Sequence, residues 1–71
     1  MTNQEAHNKL LKWCRSNPRG MGLPCMRVRA DEECVIVDNS RMSAPILARG
    51  GNWISVYHNL KLVYPNETSS L

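Results

Sequence analysis

Residues 53–64 read WISVYHNLKLVY, and the period assigned to this stretch decides the architecture. Its Val, Ile, Leu and aromatic content predicts two strands joined at His58-Asn59. A hairpin of that kind puts Trp53, Ser55, Tyr57, Leu60, Leu62 and Tyr64 on one side and Ile54, Val56, Lys61 and Val63 on the other. Both sides are largely apolar, so the sheet must either close into a barrel or present one side to another chain.

Working outward from this stretch, the same period of two runs through the middle of the chain. Cys25 to Ala30, Cys34 to Asp38 and Ala44 to Arg49 are short segments rich in β-branched residues, separated by turn residues at Asp31-Glu32, Asn39-Ser40 and Gly50-Gly51. Pro45 cannot donate to a ladder, which places the third segment at a sheet edge or starts it after the proline. The first residues differ. Thr2 with Glu5 three positions later forms a capping box, and Ala6, Leu10, Trp13 and Cys14 follow on one stripe of a 3.6-residue period. Ser16-Asn17-Pro18 stops this helix, because the residue before proline is pushed out of the α region. The expected fold is therefore α+β: one N-terminal helix, residues 3–16, on a small antiparallel sheet or an SH3- or OB-like barrel of four to five short strands. Residues 1–64 make one domain, and 65–71 are a polar tail.

At 71 residues the chain has room for one small core. Cys14, Cys25 and Cys34 are an odd number without the dense spacing of a secreted disulfide scaffold, and no export signal precedes them. They read as reduced thiols in a cytoplasmic protein. No apolar run approaches a membrane span.

Three kinds of chemistry are open to these residues. Zinc would draw on His7, Cys14, Cys25, Cys34 and His58, but no two cysteines stand closer than nine residues, far from the paired spacing of a zinc knuckle. No metal or other cofactor is expected. Nucleophilic catalysis lacks a glycine-rich phosphate loop, H-E-x-x-H or G-x-S-x-G, so neither an enzyme nor a small-molecule substrate is expected. Nucleic-acid binding would use Lys9, Lys12, Arg15, Arg19, Arg27 and Arg29. The net charge of +3 is modest, and its excess lies in residues 1–20.

Protein binding is favoured over these. The hairpin supplies an apolar face and aromatic anchors, so the expected interface is Ile54, Val56, Lys61 and Val63, with Trp53 and Tyr57 as its aromatic anchors. The sequence therefore points to a non-enzymatic inhibitor or adaptor that binds another protein or a second copy of itself. The alternative is a basic regulator that binds nucleic acid through its N-terminal helix face.

Overall fold

The computed structural model describes residues 1–71. Helix α1 spans Asn3–Ser16, strands β1, β2 and β3 span Pro24–Val28, Cys34–Asp38 and Ile46–Gly50, and helix α2 spans Trp53–Val63. The three strands form one antiparallel sheet in the order β1-β2-β3. The α+β class and the N-terminal helix stand as expected. The four- to five-stranded barrel does not form, because the stretch assigned to its last two strands is helical.

The capping box at α1 is present on both sides. Glu5 N–H donates to Thr2 Oγ1 at 3.1 Å, and Thr2 N–H donates to Glu5 Oε1 at 3.4 Å. Ala6, Leu10, Trp13 and Cys14 are buried along one stripe. At the other end Asn17 Nδ2 donates to the Trp13 carbonyl at 2.8 Å, satisfying one of the acceptors that a helix terminus leaves open.

Helix α2 replaces the expected hairpin. Its buried residues are Trp53, Val56, Tyr57 and Leu60, at intervals of three, four and seven from the first. Local context selects this period. Three of the first N–H groups of α2 find asparagine acceptors: Ser55 N–H donates to Asn52 Oδ1 at 2.9 Å, while Trp53 and Ile54 N–H donate to Asn3 Oδ1 at 2.8 and 3.4 Å. Asn3 lies in the first turn of α1, so one helix caps the other.

Gly50-Gly51 does not make a hairpin turn. It carries β3 directly into α2. A Cβ on Gly50 would lie 2.7 Å from Ser55 Cβ and 3.0 Å from Val56 N, so the missing side chain is what lets the first turn of α2 lie against the strand end.

Both helices pack on one face of the sheet. Their buried residues join Cys34 and Ile36 of β2 and Leu47 and Ala48 of β3 in one core, with Met26 of β1 against it. Leu47 and Ala48 reach this core side by side because the β2–β3 register slips between Ile36 and Val37, pairing Val37 with Ile46. Residues 65–71 do not hang free as a tail. Thr68 is fully buried and its hydroxyl donates to the Tyr64 carbonyl at 2.6 Å, while the Trp13 indole N–H donates to the Glu67 carbonyl at 2.9 Å.

Two substitutions test this arrangement. Asn3→Ala should lower stability by about 1 kcal/mol, as loss of a helix cap does, although Asn3 caps a helix fifty residues away. Urea melts give the value, and an unchanged midpoint would remove Asn3 from the cap of α2. Val56→Glu should unfold the chain, since Val56 has no exposed surface and a carboxylate there has no partner. A folded Val56→Glu variant by circular dichroism would restore the hairpin.

Candidate functional site

Helices on one face leave the other face of the sheet uncovered by any element. Alternation along the strands sends Cys25 and Arg27 of β1, Val35 and Val37 of β2, and Ile46 and Arg49 of β3 to this outer face. Val35 stands between Arg27 and Arg49 in register, and Val37 between Cys25 and Ile46. Val35 and Val37 are buried, whereas Ile46 is exposed; Val28, paired with Cys34 and so on the helix side at the end of β1, keeps 62% of its surface in water. Pro45 and Ala44 continue the apolar surface past Ile46, and a shallow depression of about 630 Å³ runs across it from Arg27 to Pro45.

Charge on this face is unevenly satisfied. Arg49 donates to Glu33 through Nε at 2.9 Å and a terminal nitrogen at 2.7 Å. The guanidinium holds the Glu33 carboxyl below the usual carboxylate range, and Glu33 in turn raises Arg49. The second ion pair of the molecule, Arg19 to Glu67 at 2.6 Å, lies away from this face. Arg27 and Arg29 take part in neither, so they are the free cations of the outer face.

A second surface, wholly polar, lies between the end of α1 and the β2–β3 loop, where Arg19, Glu67, Asp38, Ser40 and Arg41 meet. Asp38 accepts hydrogen bonds from the Ser40 backbone and hydroxyl, and these hold its carboxyl below the usual range. Each acid here faces a base, and Arg19 also stacks over Tyr64 at 5.2 Å. The cluster ties loop, helix and C-terminal segment together.

The residues singled out from sequence fall as follows. Of the expected interface, Trp53, Val56 and Tyr57 are in the core, Ile54 and Lys61 are half-buried, and Val63 is exposed. A helix turns them about 100° per residue, so they do not share one surface. Lys61 instead donates to the Leu71 oxygen at 3.2 Å, beside Tyr57, whose hydroxyl donates to the same atom at 2.6 Å. The nucleic-acid set divides between opposite sides of the molecule: Lys9, Lys12 and Arg15 are exposed on α1, in the helix layer, whereas Arg27 faces out from the sheet. Arg19 is engaged with Glu67.

All three cysteines are free. His7 is half-buried, its ring edge-on to Trp53 with centroids 5.5 Å apart, and no three His, Cys, Asp or Glu side chains converge on one point. Compared with known proteins, the chain matches no family model, no curated sequence and no solved structure. No helix is long and apolar enough to cross a membrane.

The outer face was within reach of sequence reading in its parts, since the alternation of Arg27 with Met26 and Val28 is plain. What could not be read was which sheet face remains bare, because that depends on the second helix.

The cysteines give a direct check on the layering. Burial, followed by the neighbouring Cys25, pushes the Cys14 thiol up to about 11, and burial also raises Cys34. Iodoacetamide near pH 8 should therefore alkylate Cys25 first and leave Cys14 and Cys34 until denaturant is added. Peptide mapping reads the order, and early modification of Cys14 would contradict its place in the core.

Proposed function

We propose that the protein is a non-enzymatic binding module whose outer sheet face docks another protein, in the manner of a small inhibitor or adaptor. The observation that carries this reading is the outer face itself: Ile46 exposed beside half-buried Pro45, over the buried Val35 and Val37, bordered by Arg27 and Arg29, which join no ion pair, with no helix lying across it. An apolar centre with a charged rim is the usual anatomy of a protein interface. The expected site moves accordingly from residues 53–64 to the sheet.

The nucleic-acid reading draws less support. Binding of single strands uses aromatic rings as stacking platforms, and all four aromatic side chains here, Trp13, Trp53, Tyr57 and Tyr64, pack on the helix side. Binding of a duplex backbone wants a continuous basic track, and the lysines of α1 are separated from Arg27 by the thickness of the fold.

Ile46→Glu tests the proposal. Ile46 is 37% exposed at an edge strand, so the variant should stay folded. Immobilised wild-type protein should retain a protein from its native host after nuclease treatment and in high salt, and Ile46→Glu should lose it. Retention that vanishes with nuclease, or that falls steeply as salt rises, would replace a protein partner with nucleic acid.

A further inference from the structure

The two edges of the sheet are not alike. The hairpin joining β1 to β2 is closed by Arg29 N–H donating to the Glu33 carbonyl at 2.9 Å. Residues of an antiparallel pair alternate between bonded and non-bonded positions, so Arg27 and Cys25 also bond toward β2, while Met26 and Val28 point their N–H and C=O groups outward. The same alternation carried across β2 turns the Arg49 carbonyl outward on the β3 edge, and there Asn59 Nδ2 of α2 donates to it at 2.7 Å. Helix α2 therefore occupies the β3 edge at its Arg49–Gly50 end. On the β1 edge the outward groups of Met26 and Val28 have no main-chain partner, and the Met26 carbonyl accepts only a long contact from the Cys25 thiol at 3.8 Å.

Resting on the reading of the protein as a protein-binding module, we propose that β1 accepts an extended acidic segment of the partner as a fourth, antiparallel strand. An exposed row of main-chain donors and acceptors is a template for strand addition, with side chains setting the choice of strand. The side chains here select against a second copy. A two-fold pairing centred on Arg27 sets Arg27 opposite itself, and one centred on Val28 sets Arg27 opposite Arg29. Like charges in directly opposed positions repel. Centring on Met26 avoids this but brings Pro24 opposite Val28, and proline has no N–H to give. An incoming strand with acidic residues opposite Arg27 and Arg29 meets both requirements at once. Glu33 does not compete, being held by Arg49, and Asp31 accepts the Glu33 N–H at 3.1 Å in the turn. Between its acids the strand places apolar residues opposite Met26 and Val28, covering the valine left in water. The partner segment is thus an alternating acidic and apolar strand.

The experiment uses blocked synthetic peptides with the whole protein: one alternating glutamate with valine, its lysine counterpart, and the acidic peptide N-methylated on alternate amides. Only the unmethylated acidic peptide should bind, and hydrogen exchange should slow at the Met26 and Val28 amides, which are unbonded in the free protein. Val28→Pro removes one outward N–H without touching the β1–β2 ladder and should weaken binding about tenfold or more. Arg27→Glu with Arg29→Glu, both on exposed positions, should transfer preference to the lysine peptide, so a misfolded proline variant would not leave the idea without a test. Acidic binding that leaves Met26 and Val28 exchange unchanged, equal binding of the methylated peptide, absence of any acidic preference, or sedimentation as a β1-linked dimer would each overturn strand addition. If Val28→Pro still retains the host protein lost by Ile46→Glu, strand addition fails while the docking face stands.

Discussion

The close approach of α2 to the end of β3 organises the molecule. Only two residues, Gly51 and Asn52, separate strand from helix, and the helix can turn back over the sheet because Gly50 carries no side chain to collide with Ser55. So short a connection leaves α2 little choice of face. Once it lies beside β3, Leu60 and Val56 share one core with Ile36 and Ala48, and α1 packs over β1 on the same side of the sheet. Everything that distinguishes one side of the sheet from the other follows from that junction: aromatic rings with Cys14 and Cys34 beneath the helices, Cys25, Arg27, Arg49 and two valines on the bare side.

Asparagine side chains do much of the joining. Asn52 and Asn3 together serve the start of α2, Asn17 finishes α1, and Asn59 reaches the edge of β3. Each satisfies a main-chain group that would otherwise face solvent or an apolar neighbour unpaired, and each links two elements or ends one. A chain of this size has a thin hydrophobic margin, so a handful of such bonds is a substantial share of what holds the helices in place.

How much of this was legible beforehand depends on how far apart in sequence the deciding residues lie. Helix α1 is written locally, in Thr2, Glu5 and the stripe from Ala6 to Cys14, and β1 to β3 are written locally in their alternation. Residues 53–64 carry two patterns at once: their β-branched and aromatic content suits a strand, while Trp53, Val56, Tyr57 and Leu60 suit a helix. The tie is broken by Asn52 just before the stretch, by Gly50, and by Asn3, fifty residues upstream, whose part in the cap has no local signature. The same applies to the segment after Pro65. Nothing in Asn-Glu-Thr announces that Thr68 will be buried or that the Glu67 carbonyl will meet Trp13. The outer face inherits this limit, since a sheet with one helix and a sheet with two bare different surfaces.

The contact between Trp13 and Glu67 also orders events in time. As the chain leaves the ribosome, α1 is made before the sheet and α2, so its apolar stripe has nothing complete to rest on until α2 and the turn that follows it have emerged. Contacts separated by some fifty residues close late and slowly compared with hairpins. The nascent helix therefore spends most of synthesis as an isolated amphipathic segment with Leu10 and Trp13 uncovered, a state that invites chaperones or aggregation. Folding of these residues is postponed until α2 and the turn after it are in place.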